Sequence, residues 1–254
     1  EKADGYTLLA YAAAFIPTLQ TTDIGFSKDA FYPLACLTLS PEALITNRYS
    51  SQSDFQAVLD YAQAHPGEQK WCGPGSGSLD HLMAVKTMAL AGIEAKWIPY
   101  GGGGPAVAAV MGEHAHVYVG NPEDLLGREE NLTLAAVSSP ERLARFPDTP
   151  TLSEFGLNLD AEVMWRGFAL RSDSDPELVR WYVDLLKQVS QDPSWLQFVE
   201  RTGVLSVFLE HDEFQALIDK DAQSSREYLE LAGFSIGERP EQAPWVPAIF
   251  VGLL

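Results

Sequence analysis

Short apolar runs alternate along the chain with segments whose apolar residues recur at helical spacing. That alternation predicts an α/β fold. Strands are predicted at Tyr6–Ala13, Pro33–Leu39 and Ala43–Asn47, with a loose polar stretch through Asp29 between the first two. Ser53 and Gln56 form a capping-box pair ahead of a helix in which Phe55, Val58, Leu59 and Ala62 share a face, and His65-Pro66-Gly67 stops it. Gln69–Cys72 predicts a strand. Leu79–Ala91 predicts a helix with Leu82, Val85 and Ala89 on one face and Gly92 at its end. A strand at Ala95–Pro99 precedes a short helix, Ala106–Met111, with Pro105 in its first turn. Ala115–Val119 and Leu132–Val137 predict strands, and Thr151 with Glu154 caps a short helix ending near Gly156.

After a strand at Val163–Leu170, Asp175-Pro176 and Asp192-Pro193 each open a helix, and Asp212 with Gln215 caps a last one through Leu231. The stripe Leu178, Val179, Tyr182, Leu185, Leu186 and Val189 predicts a core face rather than a cofactor box. The chain shows no internal repeat and no low-complexity segment.

Composition narrows the partners. With 46% hydrophobic residues and a mean hydropathy of -0.07, the chain can bury a core as one domain or two modest ones. Its net charge of -18, from 35 acidic and 17 basic residues, excludes nucleic acid, which needs a concentrated basic surface. It also disfavours docking on an anionic membrane. A small anion is still compatible, provided that backbone N–H groups or a few local cations outweigh the general field. Cys36 and Cys72 form neither a disulfide framework nor a zinc-ligand spacing, and two buried thiols are favoured over one bridge. No leader is visible, and the abrupt start reads as processed or truncated. The apolar stretch 246–254 is shorter than the roughly 20 residues a membrane helix needs. It reads as a docking tail or the start of a longer apolar segment.

The strongest local chemistry lies in two glycine-rich strand-to-helix loops, Gly73 to Ser78 and Gly101 to Gly104. Glycine lets backbone approach a ligand closely, and the exposed N–H groups of a helix start favour an anion. Two such loops on one sheet would cradle carboxylate groups; two ordinary tight turns would have the same composition. The first loop lacks the third glycine of a dinucleotide fingerprint, and it is no nucleophile elbow: Ser76 has glycine directly on both sides, and Ser78 has serine two residues before it. No Walker-type lysine follows either loop. His114 and His116, beside Glu113, are a two-residue metal pattern without a placed third ligand; turn histidines have the same spacing. His81 could donate to an anion, orient Ser78, or be satisfied by nearby backbone. Asn121 is either a turn former or an amide facing a cleft. Arg166 interrupts an apolar strand, where it either pairs with acidic surface, the preferred reading, or clamps a carboxylate.

Seven blocks in order resemble the receptors of tripartite tricarboxylate transporters, also called Bug receptors. Asp4-Gly5-Tyr6-Thr7-Leu8-Leu9 is similar to their DGYTLL strand. Gly75-Ser76-Gly77-Ser78-Leu79-Asp80-His81-Leu82 resembles their glycine–serine loop, and Ile98-Pro99-Tyr100 through Ala106 their VPY-glycine-rich loop. Gly120-Asn121-Pro122, Ala136 to Arg142, Phe146 to Leu152, and Trp165-Arg166-Gly167 continue the match, which runs to about Phe234. Three departures stand out. The family places a strand, a helix and a glycine-rich loop ahead of the DGYTLL strand, so lobe one is expected to be incomplete. Gly101 replaces a frequent lysine, and His116 a frequent acid.

The resemblance implies a two-lobed, type II periplasmic binding-protein fold with a hinge of crossing strands. It implies residues 1–45 and 163–234 in lobe one, 46–162 in lobe two and 235–254 as a tail. It implies a periplasmic, non-enzymatic, monomeric receptor that hands a small organic carboxylate to membrane transporter subunits, without cofactor or metal. The ligand-binding positions it implies are Gly75, Ser76, Ser78 and His81, then Tyr100, Gly101, Gly102 and Gly103, with Asn121 nearby. The alternatives are a hydrolase using Ser76 or Ser78, a metal enzyme using His114 and His116, or a truncated remnant that binds nothing.

Overall fold

A computed structural model describes residues 5–22, 24–234 and 236. Two sheets organise the chain. The first has the order β1-β8-β2-β9, all antiparallel, built from Leu9–Ala12 (β1), Phe31–Pro41 (β2), Val163–Arg171 (β8) and Leu205–Glu210 (β9). The second has the order β5-β4-β6-β3-β7, built from Ala43–Asn47 (β3), Lys70–Pro74 (β4), Lys96–Tyr100 (β5), Val117–Gly120 (β6) and Leu132–Val137 (β7). The mixed α/β architecture expected from the hydrophobic pattern is present, with one sheet in each lobe.

Helices Phe55–Ala64 (α2), Leu79–Ala91 (α3) and Gly103–Met111 (α4) cover the five-stranded sheet. Its two faces bury separate cores, one around Leu44, Phe55, Trp71 and Met83, the other around Ile45, Val107, Tyr118 and Leu132. The four-stranded sheet packs against Phe15–Thr21 (α1), Pro176–Gln191 (α5), Pro193–Thr202 (α6) and His211–Leu231 (α7). At its core Trp165 meets Tyr11 and Phe214 edge-on, and the three ring centroids lie 5.1–6.3 Å apart. Cys36 and Cys72 are both buried free thiols. Among the described residues no helix is long and apolar enough to cross a membrane.

Several expected boundaries move for physical reasons. The stretch after β1 is not loose: Phe15–Thr21 is helical, with Pro17 in the first turn, where its missing N–H costs no hydrogen bond. Asp54, not Ser53, caps α2, because its carboxylate accepts from Ala57 N at 2.9 Å, while Gln56 reaches forward to Asp60. Strand β9 was not expected. It runs into α7 with no turn residue between them, so the Asp212–Gln215 cap is not formed and Glu210 precedes the helix without a side-chain cap. On α5 only part of the predicted stripe packs: Leu186 is buried, whereas Leu185 and Val189 are each 37% exposed. The tail at 237–254 lies outside the described residues.

Candidate functional site

In the five-stranded sheet β4 is parallel to both β5 and β6, so three strands end on one edge. Pro74 is registered against Tyr100, which sets the two glycine-rich loops side by side. Strand β3 is antiparallel to β6 and β7, pairing Ala43 with Gly120 and with Val137. Both passages between the lobes therefore meet this edge too. Open α/β sheets bind ligands outside the carboxyl ends of their strands, and this is the edge where that rule places a ligand.

The first loop is held by its own bonds. Gly75 and Gly77 adopt φ of +58° and +74°, which only glycine takes without strain. Gly75 N donates to Tyr100 O at 2.9 Å, tying one loop to the other, and Trp97 Nε1 donates to Gly75 O at 2.9 Å. Gly77 N donates to His81 Nδ1 at 3.0 Å, which leaves the imidazole proton on Nε2. The ring lies stacked on Trp97, and burial pushes its pKa down to about 4, so His81 is neutral at physiological pH. Ser78 caps α3, its Oγ accepting from His81 N at 3.1 Å. Of the readings open for His81, the geometry realises satisfaction by nearby backbone: the ring accepts from Gly77 N, and it is the His81 backbone N, not the ring, that bonds Ser78. The amides of Ser76 and Ser78 make no bond among the described residues.

In the second loop Gly102 caps α4, and the first-turn amides of Gly103 and Gly104 have no partner within the helix. A Cβ on Gly103 would stand 2.9 Å from the Tyr118 hydroxyl, so glycine permits the helix start to sit on β6. Gly101 and Gly104 are exposed, and Tyr100 and Gly102 half-buried.

Asn121 is occupied. Its Nδ2 donates to Pro41 O at 3.0 Å and to Glu42 Oε1 at 3.3 Å, and its backbone N donates to Asp124 Oδ2 at 3.0 Å. It ties the end of β6 to the interlobe passage instead of presenting an open amide. Arg166 behaves as its structural reading expects: Nη1 donates to Ser40 Oγ at 3.0 Å and Nη2 lies 3.5 Å from Glu123. Because Ser40 also donates to Glu123 at 2.8 Å, strands of lobe one are bonded to the turn Pro122–Leu125 of lobe two.

The remaining residues of this edge carry no sequence motif. At the passage, Glu42 N donates to Ser138 Oγ and Glu162 O, and Ser138 N returns to Glu42 O. The Glu42 side chain is fully buried, and its Oε2 has no hydrogen-bond partner among the described residues. Burial raises its pKa well above the usual carboxylate range, with Asp80, Glu162 and Glu123 adding to the effect against the Asn121 bond. Asp80, in the first turn of α3, is pushed up to about 7, mainly by burial. Asp124 accepts from Tyr118 Oη at 2.9 Å. On the far side of α3, Lys86 bridges Glu162 at 2.5 Å and Ser224 of α7 at 2.8 Å, an ammonium almost completely buried between the lobes.

Catalytic arrangements are not assembled among the described residues. The His81 ring faces the Gly77 amide rather than a serine hydroxyl, and His116 Nδ1 accepts from Lys70 N at 2.9 Å. No group of three or more potential metal ligands occurs there.

Comparison with known proteins agrees with this architecture. The family model of the tripartite tricarboxylate transporter family receptor matches residues 1–233. The protein BugT of Bordetella pertussis is 25% identical over 228 residues, which cover 87% of this chain and 70% of BugT. Two solved proteins of Rhodopseudomonas palustris share the fold. Rpa4515, solved with adipate, has a TM-score of 0.82 at 19% identity, covering 92% of this chain and 80% of that one. MatC, with bound malate, has a TM-score of 0.76 at 18% identity, covering 91% and 81%. The match over residues 1–233 shows that the chain belongs to the tripartite tricarboxylate transporter receptor family.

Proposed function

We propose that this protein captures a small organic carboxylate in the cleft between its lobes and delivers it to membrane transporter subunits. One observation carries the reading: both glycine-rich loops end strands at the same sheet edge, beside both interlobe passages, with amides of Ser76, Ser78, Gly103 and Gly104 left over for an anion. The expected positions then divide into two groups. Ser76, Ser78, Gly101, Gly102 and Gly103 form the contact surface. Gly75, His81, Tyr100 and Asn121 hold it in shape through the bonds above. Adipate in Rpa4515 and malate in MatC, both dicarboxylates on the same fold, support the ligand class.

The lobes divide at Glu42 and at the segment leading into Val163, and the chain acts as a monomer in the periplasm. Ligand favours the closed arrangement by binding it better than the open one. A thermal-shift screen of mono-, di- and tricarboxylates and amino acids tests the proposal. Saturable stabilisation by at least one carboxylate is expected. No response to any of them removes the receptor reading and favours a protein that binds nothing.

A further inference from the structure

The glycines of the first loop make room for aromatic rings. A Cβ on Gly73 would stand 2.5 Å from the Trp97 ring, and one on Gly77 would stand 3.2 Å from the Phe234 ring and 3.6 Å from Leu229. Trp97 belongs to β5, next to the loop. Leu229 and Phe234 come from the end of α7, which packs on the other sheet and reaches across to α3. A ring from one lobe is therefore seated on a loop of the other.

A local rule of the chain places that ring. Gly233 takes φ of +83°, its N donates to Glu230 O at 3.0 Å, and Phe234 N donates to Leu229 O at 2.9 Å. These are the two bonds of a Schellman helix stop, in which the residue after the glycine packs against the residue five positions before it. Here that apolar pair, buried Leu229 and half-buried Phe234, presses on Gly77. Phe234 also meets the His81 ring nearly at right angles, with centroids 6.0 Å apart, while Trp97 stacks on the same ring at 4.7 Å. The imidazole so packed is the acceptor for Gly77 N, and Gly77 lies between Ser76 and Ser78.

We propose that Phe234 is a positioning residue of the carboxylate site: from the end of α7 it seats Gly77 against the His81 ring, and so fixes the Ser76 and Ser78 amides for the ligand. This rests on the receptor reading and adds to the site a part supplied by the opposite lobe. Affinity then depends on α7 staying docked on α3, a contact that Lys86 of α3 also makes through Ser224 and the Tyr228 ring. Phe234 acts through Gly77 and His81 and has no need to touch the ligand. Leucine in its place keeps most of the apolar cover, whereas alanine leaves a gap over Gly77.

The test has two arms, both on the full chain. In the first, the His81 ring is titrated by NMR without ligand. Burial alone holds its pKa down at about 4, and in F234A it is expected to rise towards the ordinary 6.5 as water reaches the ring. The second is isothermal titration with malate, adipate and the carboxylate that most stabilises the wild type. F234A is expected to bind about tenfold more weakly and F234L within about threefold of the wild type, since a loop that must be ordered on binding loses affinity. If F234A fails to fold, F234V carries both arms. An unchanged His81 titration, or F234L as weak as F234A, overturns the proposal while leaving the receptor reading intact. No binding of any carboxylate by the wild type removes both.

Discussion

The glycine-rich loops and the cleft floor share one sheet edge and solve opposite problems. The loops meet an anion with neutral dipoles: their donors are backbone amides held in place by Gly75–Tyr100, Gly77–His81 and Ser78–His81 bonds. The floor instead gathers titratable carboxyl groups, Glu42 and Asp80 with pKa values raised by burial and Asp124 beside them, with the engaged cations Arg166 and Lys86 at its margins. Backbone dipoles keep their sign at any pH, whereas buried carboxyl groups exchange protons. The loops should therefore set whether an anion binds, and the floor how the protein responds to pH.

The largest effect is expected where charge closes the lobes. K86A leaves Glu162 without its cation and frees α3 from α7, a loss of about 3 kcal/mol of stability for breaking one side of a buried pair. Urea denaturation monitored by circular dichroism measures it. A loss below that of an exposed pair would show that the bridge does not hold the lobes together.

The next effect concerns the floor alone. Asp80 has its pKa raised from 3.8 to about 7, so the folded state holds a proton that the unfolded chain releases. Its contribution is fully present below about pH 4 and is lost as pH rises towards about 7. His81, lowered to about 4, works in the opposite direction below about pH 6.5 and partly masks this in the wild type. The difference between D80N and wild type removes the mask. D80N should gain on the wild type by on the order of 2 kcal/mol between pH 5 and pH 8, read from melting temperatures. A constant difference across that range would place Asp80 in an ordinary ionised environment.

Smaller effects belong to the loops. G103A puts a methyl against the Tyr118 hydroxyl and should cost about 1–2 kcal/mol while abolishing the carboxylate response, because α4 must tilt from β6. S78A removes the cap of α3 and should cost about 1 kcal/mol with a milder loss of affinity. If S78A weakened binding more than G103A, the hydroxyl rather than the amides would be the main contact.

Much of this was legible in the chain, because the loops depend on local rules. Gly92 ends α3 in the left-handed conformation, Pro176 and Pro193 each open a helix, and Thr151 with Glu154 forms the expected capping box. The ordered motifs pointed to the family. What the chain concealed depends on distant partners. Glu42 follows a proline between two apolar strands, and only the fold shows it to be buried beside Asp80 and Asn121. Asp80 alone reads as a residue favoured in a helix first turn. Asn121 and His81 were visible as polar residues near a cleft, but their bonds to Glu42 and Gly77 turn them into supports. Strand β9 was hidden because it pairs only with β2, more than a hundred residues earlier, and needs no turn before α7.

The most direct measurement of the central claim is an amide-resolved NMR titration of the labelled protein with the carboxylate that stabilises it most. Saturable shifts centred on Ser76, Ser78, Gly103 and Gly104 are predicted, with smaller ones at Gly75 and Gly77, whose amides already donate to Tyr100 and His81. Shifts confined to other surfaces, with both loops silent at saturation, would contradict the account.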